Sequence, residues 1–60
     1  IMAFYIERTH HITKKPIYLK SDTPNQENWD SRYDYRFRYE TEEEATTVRD
    51  RIKFGTVKSE

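Results

Sequence analysis

Residues 33–40 constrain the fold most, because their side chains alternate between aromatic and charged at every step. The aromatic set is Tyr33, Tyr35, Phe37 and Tyr39, and the charged set is Asp34, Arg36, Arg38 and Glu40. A repeat of two that is rich in aromatic residues is typical of a β-strand with one face in the core. The pattern predicts a strand whose Tyr35 and Phe37 pack under a helix and whose charged face lies in solvent.

A helix is predicted directly after this strand. Thr41 and Glu44 have the spacing of a capping box, in which each side chain satisfies a backbone N–H group of the first turn. Glutamates at 42–44 and basic residues near the other end complement the helix dipole. The apolar stripe at helical spacing consists of Ala45, Val48 and Ile52. Gly55, the single glycine of the chain, is expected to end the helix in the left-handed conformation.

Two shorter strands are predicted earlier in the chain. Residues 2–9 alternate, and their inward face would consist of Met2, Phe4 and Ile6. Residues 16–20 are expected to form the second strand, with Ile17 and Leu19 inward and Tyr18 outward. The polar residues 10–15 would connect these strands as a hairpin. Residues 21–32 are predicted to be an irregular loop whose only apolar residue is Trp29.

Together these segments predict one α+β domain over residues 1–60. It would contain a small antiparallel sheet of three strands, or four if residues 56–58 add a last one, with one helix packed on one face. The order is β-β-β-α, with the optional strand at the end. The expected core consists of Phe4, Ile6, Ile17, Leu19, Tyr35, Phe37, Ala45, Val48, Ile52 and Val57. This core is small for independent stability, which favours a homodimer.

The composition is that of a chain that folds with little stability to spare. A domain of 60 residues buries only about 60% of the surface that its unfolded chain exposes. Charged residues make up 37% and hydrophobic residues 33%, but the aromatic share of 15% and the formal net charge of zero argue against disorder. The near-neutral balance also argues against a protein that binds nucleic acid through its overall charge.

The absence of cysteine excludes disulfides and thiolate zinc sites, and it favours a cytoplasmic location or an oligomeric partner. No apolar run approaches the roughly 20 residues that a membrane span requires, so no membrane partner is predicted. Met2 is expected to be the natural first residue.

No residue pattern indicates catalysis, a metal or a cofactor. His10 and His11 are adjacent, so on a strand they would point to opposite faces, and the chain has no other histidine. The glutamates at 42–44 diverge around the helix and do not converge on one substrate atom. No serine has a histidine beside it as a base. A non-enzymatic protein is therefore predicted.

Three functions stay open. The first is a protein-interaction module that uses the charged face of residues 33–40 or the loop around Trp29, which would otherwise fold back onto the core. The second is a nucleic-acid binder, disfavoured because a base stacked on Tyr35 would not meet Arg36 or Arg38 on the same face of a pleated strand. The third is a structural oligomerisation domain. The candidate binding residues are Trp29, Arg32, Tyr33, Asp34, Arg36, Arg38 and Glu40.

The order of hairpin, tryptophan-containing loop and aromatic strand ends in the motif Y-x-T-x-E-E-A, here Tyr39, Thr41, Glu43, Glu44 and Ala45. This pattern, which covers most of the chain, resembles short, mostly uncharacterised proteins of bacteriophages and bacteria. The resemblance implies the same small fold and is compatible with a phage-encoded protein that modulates or inhibits a host or viral protein. It implies no activity and no site residues.

Overall fold

The computed structural model describes residues 3–20 and 28–60, and it shows a four-stranded antiparallel sheet with one helix. The strands are β1 (Phe4–Thr9), β2 (Pro16–Leu19), β3 (Trp29–Asp30) and β4 (Thr56–Ser59), and the helix is α1 (Glu42–Ile52). The strand order in the sheet is β3-β2-β1-β4. The predicted class, a small α+β domain, is confirmed. The predictions for Met2 and for residues 21–27 of the loop lie outside the described residues.

The β1–β2 hairpin forms around the polar residues 10–15. Glu7 lies opposite Tyr18 and Thr9 opposite Pro16. The turn is closed where His10 N donates to Lys15 O at 2.9 Å and Lys14 N donates to His10 O at 2.9 Å. The proline is tolerated because it is the first residue of its strand.

The prediction of a strand over residues 33–40 is wrong. Tyr33–Tyr35 form one turn of 3-10 helix, and the third strand of the sheet is the short β3, which pairs with β2. Only the end of the segment joins the sheet: Phe37 N donates to Leu19 O at 2.8 Å, and Tyr39 exchanges two backbone hydrogen bonds with Phe4, of 2.8 and 2.7 Å. The chain crosses from β3, at the sheet edge, over the sheet to β1, so residues 33–36 lie across the strands and cannot form part of a strand.

Side chains from β1, β2, the crossing segment and α1 form the core. It consists of Ile6, Leu19, Tyr39, Ala45 and Val48, with Phe4, Trp29, Phe37, Ile52 and Val57 packed against it. Tyr39 replaces the predicted Tyr35, which is 49% exposed, because only the last two aromatic residues of the segment reach the side of the sheet that faces α1. Ile17, also predicted for the core, is half-buried outside this cluster.

The first end of α1 forms as predicted and the second does not. At its start Thr41 acts as the predicted N-cap, since its Oγ1 accepts from Glu44 N at 3.2 Å. At its end Lys53 adopts the left-handed conformation, with φ of 62°, and Gly55 does not end the helix. Gly55, with φ of 92°, lies in the turn before β4, where a Cβ atom would be only 2.7 Å from Ile6 Cγ2. Close approach to β1 requires glycine at this position.

Candidate functional site

The two faces of the sheet are covered by different parts of the chain. We call the face that carries α1 the inner face and the opposite one the outer face. Because side chains alternate along a strand, Phe4 and Ile6 of β1 lie on the inner face and Tyr5 lies on the outer face. The register of β1 and β2 places Tyr18 on the same outer face as Tyr5. The crossing segment covers this outer face.

Three tyrosines pack together on the outer face. The ring of Tyr33 lies edge-on to Tyr5 and Tyr18, with ring centroids 5.4 and 5.3 Å apart. Tyr5 and Tyr18 are themselves 5.9 Å apart and only 8% and 9% exposed. Burial raises the pKa of the Tyr5 hydroxyl. Tyr18 therefore points outward as predicted but is covered, while Tyr33 is 41% exposed.

Arg36 is packed over these tyrosines. Its guanidinium carbon lies 3.7 Å from the centre of the Tyr33 ring and 5.5 Å from that of Tyr5. It donates to Tyr33 O at 2.9 Å and to the Glu60 carboxylate, and its side chain is 12% exposed. Such a cation, between rings and beside a carboxylate, is part of the folded structure and not a free surface charge.

Glu60 also holds Arg38. The Nε and Nη2 groups of Arg38 donate to the two carboxylate oxygens at 2.7 and 2.9 Å. The hydrogen bond from Arg38, and to a smaller extent that from Arg36, lowers the pKa of Glu60. The two arginines of the predicted charged face are therefore paired with a carboxylate.

A second stack lies at the β3 side of the outer face. Arg32 donates to Asp30 from its backbone N at 2.8 Å and from two guanidinium nitrogens at 3.1 Å each. The side-chain hydrogen bond, followed by the backbone one, lowers the pKa of Asp30 to about 2. The same guanidinium lies 4.0 Å from the centre of the Tyr35 ring, and Lys20 Nζ lies 5.9 Å from it. Tyr35 is thus held beneath a fixed cation while half of it stays exposed.

We call this region the tyrosine–arginine surface. It comprises Tyr5, Tyr18, Tyr33, Tyr35, Arg32, Arg36 and Arg38. The expectation that aromatic residues and arginines would lie on opposite faces is wrong for residues 32–36, because the 3-10 turn abolishes the alternation there. The alternation survives only where Phe37 and Tyr39 face α1 and Arg38 faces outward.

The structure separates the predicted candidates. Arg32, Tyr33, Arg36 and Arg38 come together on the outer face. Trp29 is half-buried against the core on the inner face, so it has folded back. Asp34 and Glu40 are exposed, and neither makes a hydrogen bond or ion pair within residues 3–20 and 28–60.

Besides the predicted candidates, the surface includes Tyr5, Tyr18 and Tyr35, and Lys20, Asp30 and Glu60 lie beside it. Tyr5 could have been found from its alternation with Phe4 and Ile6. Asp30 and Glu60 pair with arginines that lie across a turn or are distant in sequence, whereas Lys20 forms an ion pair with Asp30 at 3.8 Å. No local pattern indicates these pairs.

The remaining chemistry of the described residues is sparse. No group of three or more histidines, cysteines or acids in this part of the chain could hold a metal ion. No described helix combines the length and the apolarity needed to cross a membrane. An open depression of about 500 Å³ lies beside the start of α1, and it shares no residue with the tyrosine–arginine surface; its lining is Tyr39, Thr41, Glu43, Glu44, Thr47 and Val48.

No protein-family model matches the chain, and neither a curated protein nor a solved structure is similar to it. The interpretation of the site therefore depends on its own geometry.

Proposed function

We propose that this chain is a small, non-enzymatic protein-interaction module of the cytoplasm that binds its partner through the tyrosine–arginine surface. One observation supports the proposal most directly: Tyr35 is 49% exposed while Arg32 fixes its ring from one side. A phage-encoded modulator or inhibitor of a host or viral protein is compatible with this surface.

The chemistry of the surface is that of a protein interface. Tyrosine and arginine are enriched among residues whose truncation weakens binding most. Arg32 is held at two nitrogens by Asp30, and the Tyr33 ring is held between Arg36 and two buried tyrosines. Because these side chains are already ordered, the domain loses less conformational entropy when a partner binds.

The charges of the surface favour a protein over a nucleic acid. Arg32 is paired with Asp30, and Arg36 and Arg38 share Glu60. Affinity for nucleic acid comes mainly from cations that neutralise phosphates, and a carboxylate at each guanidinium opposes that. One observation favours the nucleic-acid alternative: the guanidinium of Arg32 and the exposed ring of Tyr35 lie together on one surface.

Quantitative affinity purification from lysate of the cells that carry the gene tests the proposal. The Tyr35→Ala and Arg32→Ala variants are each expected to lose the same captured protein by about tenfold or more, as for central interface residues. Ile12→Ala is the control, because Ile12 is also apolar and is 73% exposed at the hairpin turn. Equal capture by all four proteins would contradict the proposal. Arg36 is unsuitable for this test because its substitution is also expected to destabilise the fold.

A mobility shift and light scattering separate the alternatives. Binding to RNA or single-stranded DNA that weakens steeply with salt and disappears in Tyr35→Ala would replace the protein partner by a nucleic acid. A dimer at micromolar concentration that Tyr35→Ala converts to a monomer would show that the partner is a second copy of this chain.

A further inference from the structure

A second cluster lies on the inner face, away from the tyrosine–arginine surface. Arg8 lies two residues after Ile6 in β1, so its side chain points to the same, inner face. Its guanidinium carbon lies 5.2 Å from the centre of the Trp29 ring and 5.0 Å from that of the Phe54 ring. Arg8 is half-buried, and Phe54 is 53% exposed. Two rings thus hold one cation at the surface.

Arg8 differs from four other arginines in its hydrogen bonds. Each of these four donates to a carboxylate or carbonyl oxygen: Arg32, Arg36, Arg38 and Arg49. Arg8 makes no ion pair and donates to no oxygen among residues 3–20 and 28–60. Trp29 Nε1 is buried and also lacks an acceptor within these described residues.

A guanidinium in this environment favours an anion. Aromatic rings attract its positive charge but do not accept the N–H groups in its plane, and a guanidinium has five such donors and no acceptor. Partial burial reduces the competing hydration of those donors. The contacts on both rings also fix the orientation of the side chain, which lowers the entropy lost when a ligand binds.

We infer that Arg8, held between Trp29 and Phe54, is a binding site for the carboxylate group of a ligand. A single guanidinium matches the one negative charge of a carboxylate, and its planar fork matches the two oxygens. The exposed ring of Phe54 would contact the apolar atoms beside that carboxylate. This site is independent of the surface proposed above.

The test uses small anions and the intact domain. In 15N-labelled protein, sodium acetate at constant ionic strength is expected to shift the Nε–H signal of Arg8 saturably. One pair of charge-assisted hydrogen bonds corresponds to a Kd on the order of tens of millimolar. Sodium chloride is the control for general screening, and sodium phosphate is the rival ligand.

Variants identify the residue that binds. The Trp29 Nε1–H signal reports on the site when Arg8 is absent. Arg8→Lys keeps the charge but loses the fork, and acetate binding is expected to weaken at least about fivefold. Phe54→Ala is expected to weaken it less, since it leaves the donors in place. Arg38→Lys is the matched control, because Arg38 already has a carboxylate, and it should leave the titration unchanged.

Three results would show that Arg8 is not a specific anion-binding site. These are an Arg8 signal that does not saturate with acetate, an equal response to chloride, and unchanged acetate binding in Arg8→Lys. Tighter binding of phosphate than of acetate would contradict the assignment to a carboxylate. Tyr35→Ala should not affect the titration, so this inference and the proposed function can fail separately.

Discussion

At the scale of single residues, one imidazole organises the β1–β2 turn. Nδ1 of His10 accepts from the backbone N of Ile12 at 3.1 Å and from that of Thr13 at 3.2 Å. We expect His10→Ala to lower the free energy of unfolding by about 0.5–1.5 kcal/mol, because two backbone donors lose their acceptor. Urea denaturation of the purified domain measures this difference.

His11 provides the matched control. Its ring stacks on His10 with centroids 5.2 Å apart, and it accepts no backbone hydrogen bond in the described part of the chain. His11→Ala should therefore change the free energy of unfolding by less than about 0.5 kcal/mol. An equal loss in the two variants would show that ring stacking, and not the Nδ1 acceptor, stabilises the turn.

The ion pair of Asp30 gives the fold a defined acid sensitivity. Hydrogen bonds from Arg32 lower the pKa of Asp30 from an ordinary value of 3.8 to about 2 in the folded state. Since the folded-state pKa is the lower one, the contribution to stability is complete above the unfolded-state pKa. It is lost as the pH falls through about 2.

Comparison with Asp30→Asn isolates this effect. The stability difference between the parent and the variant is expected to be constant above about pH 5 and to shrink steadily towards pH 2. Thermal unfolding at half-unit pH intervals measures it, and Glu60 contributes equally to both proteins. A difference that does not change with pH would contradict the assigned pair.

At the scale of the elements, the turn between α1 and β4 combines one strained residue and one required glycine. Gly55→Ala should destabilise the domain by more than about 1 kcal/mol, because φ is 92° and the new Cβ would meet Ile6 Cγ2 at 2.7 Å. Lys53→Gly should stabilise it by up to about 1 kcal/mol, because Lys53 has a left-handed φ of 62°. Urea midpoints that shift in the same direction would contradict this division of roles.

The helix and the hairpin could be predicted because their signals are local. The capping contact of Thr41 and the strands of the hairpin depend on residues a few positions apart. The prediction that Gly55 ends the helix is wrong, because glycine is required there by the close approach of Ile6 in another strand. A left-handed lysine ended the helix two residues earlier, which composition does not indicate.

The path of the aromatic segment could not be predicted either, because it also depends on contacts between residues that are distant in sequence. Its period of two suits a strand, yet Trp29–Asp30 occupy the edge of the sheet and the chain must then cross the outer face. Tertiary context outweighs strand propensity in such a case. The same error affects the candidate site. Arg32, Tyr33, Arg36 and Arg38 lie together because of the 3-10 turn and not on one face of a strand, and the sequence does not indicate their pairing with Asp30 and Glu60.

At the scale of the whole molecule, the sheet is covered on both faces by unlike layers. The helix covers the inner face with aliphatic contacts, whereas the crossing segment covers the outer face with rings and guanidinium groups. Arg36 connects this outer layer to both ends of the chain: it contacts Tyr5 of β1, Tyr33, and Glu60 after β4. Loss of this one side chain should therefore loosen the packing among Tyr5, Tyr33 and Glu60.

Arg36→Ala and Arg38→Ala test this view, since both arginines donate to Glu60. We expect Arg36→Ala to cost about 2 kcal/mol, because its side chain is 12% exposed and its removal leaves both ring contacts and hydrogen bonds unmade. For a domain of this size that lowers Tm by roughly 10 °C. Arg38, 58% exposed at its side chain, should give a clearly smaller shift. Equal shifts would mean that the ion pair alone, without the packing on the tyrosines, stabilises the outer layer.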